Sequence, residues 1–141
     1  MLDFLPVQGS TLKKLIWLYD SIAPKQKNLL NTKTNTTGYY ISATGVVSAD
    51  GDPPKSQYTD LIPVTAGKTY TWTLTSNRAT AGNNRCHGYK SDGTWKQQVG
   101  YASADPGGAA FSLTVTIPSG VYYVRLSYGI DDTDAKFVLN A

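Results

Sequence analysis

The side chains able to do chemistry in this 141-residue chain are few. There is one histidine (His87), one cysteine (Cys86), no glutamate and therefore ten aspartates. Glycoside hydrolysis needs two carboxylates facing each other across a cleft. Most of the aspartates here (Asp50, Asp52, Asp92, Asp105, Asp131, Asp132, Asp134) stand in turn sequences, where such side chains cap their own backbone. A Ser–His–Asp set would have to use His87, and no G-x-S-x-G turn presents a nucleophile. The expectation is a protein that is not an enzyme. A single cysteine excludes an internal disulfide and a Cys-clustered zinc site. Asp50-Gly51-Asp52 and Asp131-Asp132-Thr133-Asp134 offer the hard oxygens that calcium takes, but neither has EF-hand spacing. Solvated turn-capping carboxylates and no cofactor are expected there, with a structural Ca²⁺ as the lesser alternative.

A second kind of chemistry is better represented. Saccharide binding asks for aromatic faces that stack on the C–H face of a pyranose, beside planar polar groups that fork onto its hydroxyls. Trp95 follows Gly93-Thr94 at the exit of an expected hairpin, and Tyr101 opens a long loop. Tyr39 and Tyr40 are adjacent, so at least one must leave the core. Arg85, His87 and Gln97 supply polar forks. The candidate saccharide-binding set is therefore Trp95, Tyr101, Arg85, His87, Tyr40 and Gln97. Arg125, in the middle of an expected strand, is assigned a structural role.

These residues need a scaffold, and composition indicates its class. Charged residues make 16% of the chain, against about 25% in typical domains. Thr, Ser, Asn and Gly fill the gap, with 13 glycines, 7 prolines and 10 tyrosines. That is β-rich and turn-rich, and the length suits one compact domain. Residues 1–34 hold five lysines against two aspartates, while residues 35–141 balance eight basic with eight acidic residues. The expected globular part thus has no basic excess for a run of phosphates, so no nucleic-acid partner is expected. The longest apolar run, Leu15 to Tyr19, is far short of the ~20 residues of a membrane span. The acidic start, Met1-Leu2-Asp3, does not fit a signal peptide. No membrane association is expected.

Periodicity divides the chain in two. Leu12, Leu15, Ile16, Tyr19 and Ile22 recur at helical spacing over residues 10–23, between Ser10 as N-cap and Pro24 as stop. So apolar a helix needs a partner, and its fewer than two heptads are too short for a coiled coil alone. These five residues are read as an oligomerisation or docking surface, with packing onto its own domain as the alternative. Residues 1–34 are therefore a lead-in, helix and connector. Residues 35–141 are expected to be an all-β antiparallel sandwich or jelly roll of about eight strands. They fall near 39–47, 57–63, 69–76, 85–90, 94–100, 111–117, 121–128 and 135–139. Alternation places Tyr70, Trp72 and Leu74 inward, with Phe111, Leu113, Val115 and Ile117, and Tyr122, Val124, Leu126 and Tyr128. Tyr123, Arg125 and Ser127 then point outward, as do Arg85, His87 and Tyr89.

NLLN, GYYISATG, YTDLIPVTAGKTYTWT, RCHGYKSDGTW and FSLTVTIPSGVYYVRLSY follow one another from Asn28 to Tyr128. In this order they resemble the carbohydrate-binding-module-like β-sandwich of tail, baseplate and receptor-binding proteins of phages infecting Gram-positive bacteria. The resemblance implies a virion-surface part, on the tail or baseplate rather than the capsid, that adheres to host cell-wall or surface polysaccharide. The apolar helix adds an expected homo-oligomer, a trimer, and contacts to other virion proteins through the N-terminal segment. The competing readings are a capsid or neck decoration (a head fibre) without a specific ligand, and a secreted bacterial carbohydrate-binding domain.

Overall fold

Strands in which β-branched or aromatic residues alternate with small polar ones bury one face and solvate the other. The structure, a computed structural model, describes residues 27–140 and is all-β apart from a 3-10 turn at Thr32–Thr34. The helix expected over 10–23, with Leu12, Leu15, Ile16, Tyr19 and Ile22, lies outside the described residues. Its strands are β1 (Thr36–Thr37), β2 (Tyr39–Ile41), β3 (Val47–Ala49), β4 (Ser56–Tyr58), β5 (Ile62–Pro63) and β6 (Thr69–Ser76). They continue with β7 (Gly82–Tyr89), β8 (Trp95–Ala104), β9 (Ala109–Thr116), β10 (Tyr123–Gly129) and β11 (Thr133–Leu139).

One sheet runs β1-β4-β10-β7-β8, with β5 also paired to β10. A second runs β11-β6-β9, and β2-β3 form a separate hairpin. All pairings are antiparallel. The expected antiparallel sandwich is the fold observed.

The inner faces meet in an aromatic core. Trp72 is fully buried and meets Phe111 and Tyr128 edge-on, with ring centroids 5.1 and 5.7 Å away. Tyr70 stacks on Phe137 at 5.1 Å. Cys86, Val124 and Leu126 close the core from the other sheet. Burial pushes the Cys86 thiol up to about 12, so it packs as a small hydrophobe. A β-carbon at Gly100 would lie 2.8 Å from Val115, so β8 and β9 approach closely only because that side chain is missing. The outer face of the three-stranded sheet carries hydroxyl pairs, Thr69–Thr116 at 3.1 Å and Thr71–Thr114 at 3.2 Å.

The structure departs from the expected pattern in five places. The run 39–47 is a hairpin rather than one strand, and 57–63 breaks into β4 and β5. Tyr122 is 55% exposed, because Val121 takes the inward position and regular pairing of β10 starts only at Tyr123. The expected connector is tied to the sandwich from Asn28: its Oδ1 accepts from the Leu30 and Phe137 amides at 3.0 Å, and Leu30 joins the core. Asp132 is not a solvated turn carboxylate. It is buried and accepts from Arg78 at 2.6 Å, the Gly129 amide at 3.0 Å and the Asn77 amide at 3.1 Å. A guanidinium already matches its charge.

Removing a buried ion-pair partner leaves an uncompensated charge, which costs about 3–5 kcal/mol. Asp132→Ala should lower unfolding stability in urea by about that much, since three donors lose their acceptor together. A loss below about 1 kcal/mol, the size of a surface ion pair, would contradict this.

Candidate functional site

The six-stranded sheet has an outward face because Cys86 and Leu126 point inward. On it, Ser127 and Tyr101 register opposite Arg85, and Arg125 and Gln98 opposite His87. The β2–β3 hairpin lies across this face. Its base is held by the Gly38 amide on the Ser56 carbonyl at 2.8 Å, and its middle by the Ile41 amide on Ser127 Oγ at 3.1 Å. Its tip is the turn Ser42-Ala43-Thr44-Gly45, where the Gly45 amide donates to the Ser42 carbonyl and the Val46 amide to Ser42 Oγ. Gly45 has φ +82°, and a β-carbon there would fall within 2.6 Å of the Trp95 ring. Only glycine lets the turn rest on the indole.

Beneath the hairpin lies His87, with no exposed surface. The Trp95 Nε1–H donates to His87 Nδ1 at 3.1 Å. An indole can only donate, so Nδ1 must be unprotonated and Nε2 carries the proton. Nε2 makes no hydrogen bond of good geometry among the described residues. Burial lowers the His87 pKa from 6.5 to about 4, the charge of Arg85 adds to this, and the Ile41 backbone partly offsets it.

The six sequence candidates therefore separate. His87 faces outward as alternation demands, but the hairpin seals it, so it cannot fork onto a ligand. Trp95 has its N–H engaged by His87 and a ring face covered by Gly45. Gln97 registers opposite Gly88; an irregularity in the β7–β8 ladder instead brings Gln98 beside Arg85, whose Nη1 donates to Gln98 Oε1 at 2.7 Å. Tyr40 is 38% and Tyr101 58% exposed, and the Arg85 guanidinium lies over the Tyr101 ring at 5.4 Å from its centroid.

Tyr40 and Arg85 line a cleft of about 620 Å³ between the hairpin, the segment around Lys55 and the stretch from Arg78 into the start of β7 at Asn83. Lys55, Arg78 and Gln98 were not among the sequence candidates. Arg78 stands in what reads as an ordinary turn, and the place of Gln98 depends on ladder irregularities that no spacing reveals. Beyond the hairpin, Arg125 sits between the Tyr58 and Tyr89 rings, at 5.4 and 5.5 Å, and donates to the Thr59 carbonyl at 3.2 Å. Burial raises the Tyr89 phenol to about 12, with the Arg125 charge pulling the other way. Asp131 is the one carboxylate among the described residues lining the cleft. The arrangement offers aromatic faces and hydrogen-bond donors for holding a ligand.

Between pH 6.5 and about 4 the unfolded chain takes up a proton at His87 that the folded chain excludes. Stability should therefore fall as pH drops through that window, by up to ~1.4 kcal/mol per pH unit, and this slope should vanish above the window and again below it, where the loss is complete. His87→Asn, which keeps an acceptor for the indole, should remove this component. Equal slopes for both proteins in urea titrations across the window would contradict the buried neutral imidazole.

No family model matches the sequence, and no curated protein matches it. Solved structures similar to it include one described as "CBM4 structure and function", with TM-score 0.42 and 16% identity over 74% of this chain and 73% of that one. Another is BiXyn10A CBM1 in its apo form, with TM-score 0.40 and 17% identity over 86% and 92%. A third is a cleaved adhesin domain of Lys-gingipain from Porphyromonas gingivalis, with TM-score 0.39 and 14% identity over 84% and 76%. At these scores the likenesses carry no argument about ligands, and the fold rests on the sheets themselves.

Proposed function

We propose that the chain is a non-catalytic adhesion module of a phage virion, placed on the tail or baseplate, that holds host cell-surface saccharide. The observation carrying this reading is the open cleft beside Tyr40, Arg85 and Tyr101. The exposed Tyr40 lines it with Arg85, and the Arg85 guanidinium lies over the exposed Tyr101 ring, so ring faces for a sugar and a fork for its hydroxyls stand close together. The virion context is supported by the ordered sequence segments that resemble phage receptor-binding sandwiches. Attachment and trimer formation are assigned to the apolar spacing of Leu12, Leu15, Ile16, Tyr19 and Ile22.

A shallow cleft of this kind buries little apolar area, so one copy should bind weakly, in the millimolar range, and several copies together should adhere firmly. Tyr101→Ala or Tyr40→Ala should each weaken glycan binding by up to about tenfold, with the melting temperature unchanged. Calorimetry against cell-wall polysaccharide checks this, and full-length protein clustered on beads should bind far more tightly than dispersed protein. Full binding by the double variant would contradict the site. Equal binding by clustered and dispersed protein would contradict the multivalent account. Absence of any glycan binding would favour a decoration without ligand.

A further inference from the structure

The chain contains three arginines, and two of them are matched to acids. Arg78 bonds the buried Asp132 at 2.6 Å, and Arg125 lies 3.9 Å from Asp60. Arg85 has no carboxylate within ion-pair distance among the described residues. One of its nitrogens donates to the neutral Gln98 side chain and its plane rests by Tyr101, which orients the guanidinium without cancelling its charge. Its remaining donors meet no protein acceptor among the described residues, and it lines the cleft.

The other charges on the cleft reinforce this. Lys55 also lines it, in no ion pair among the described residues, and Arg78 is neutralised by Asp132. Among the described residues lining it, Asp131 is the one carboxylate against Lys55 and Arg85, while Asp50, outside the lining, accepts from the Lys55 amide at 3.2 Å. The lining itself thus carries a basic excess although residues 35–141 are neutral as a whole. The charge of Arg85 also contributes to keeping the adjacent His87 unprotonated. A planar, pre-oriented guanidinium with free donors matches paired anionic oxygens better than a single hydroxyl.

We propose that the cleft selects saccharides bearing a carboxylate or phosphate, with Arg85 as the anion fork and Lys55 adding unspecific attraction. This rests on the saccharide-binding reading above and narrows it to acidic glycans. Two matched pairs of probes separate the sources of charge: hexagalacturonate against its methyl ester, and phosphorylated pentamannose against mannopentaose.

Full-length protein should prefer the charged member of at least one pair by about tenfold or more, as charge-assisted hydrogen bonds allow. The pair that shows the preference identifies carboxylate or phosphate as the recognised group. Added salt should weaken that binding and leave the neutral member little affected. Arg85→Gln should bring the ratio near one, while Arg85→Lys keeps part of it, with melting temperatures showing that both variants fold. Equal binding of both members of each pair by wild-type protein, with Tyr101→Ala still weakening it, would overturn the acidic selectivity and leave the saccharide site standing. No binding of any of the four probes would overturn both.

Discussion

A hydrogen bond between an indole and a buried imidazole organises the outward face of this sandwich. His87 occupies a position that alternation directs to solvent, yet it has no exposed surface because the β2–β3 hairpin lies over it. Trp95 donates to its Nδ1, and Gly45 rests on the same indole. Each member constrains the others. The indole accepts nothing and so keeps the imidazole unprotonated at that nitrogen. The bare Gly45 backbone lets the turn descend onto the ring. The Ile41 amide, pulled to Ser127, finds a partner where a strand edge would otherwise be unpaired. Because the hairpin is fixed at base, middle and tip, the part of the face it leaves uncovered has a defined outline.

That division explains why three arginines on one small domain behave differently. Arg78 is pinned by a buried carboxylate and closes the end of the sandwich. Arg125 is held between two tyrosine rings beyond the hairpin, a setting in which a guanidinium packs well. Arg85 lies on the cleft side, propped by Gln98 and Tyr101 and free of acidic partners among the described residues. The first two arrangements stabilise the fold. The third leaves binding capacity directed at solvent.

Much of the sandwich is legible in the sequence. The strand 69–76 coincides with β6, and its inward Tyr70, Trp72 and Leu74 are buried, because period-two alternation reports burial directly. The outward direction of Arg85 and His87 is legible for the same reason. The hairpin is less legible: Ser42-Ala43-Thr44-Gly45 carries turn chemistry, but flanking β-branched residues let it read as a continuous strand. The burial of His87 cannot be read locally at all, since its cover comes from the β2–β3 hairpin, 38 to 48 positions earlier in the chain. That Gln98 rather than Gln97 meets Arg85 reflects the ladder irregularity between β7 and β8, which depends on the partner strand. Alternation reveals which way a side chain points, and tertiary packing decides whether that direction is open.

A saccharide held as proposed touches the uncovered part of the outward face of the six-stranded sheet. Amide chemical-shift mapping of the full-length protein during titration with a bound saccharide tests it most directly. Shifts should concentrate at Tyr40, Arg85, Tyr101 and the Lys55 segment, with the amides of the opposite sheet undisturbed. Shifts confined to the threonine-covered face around Thr69, Thr71, Thr114 and Thr116 would contradict it.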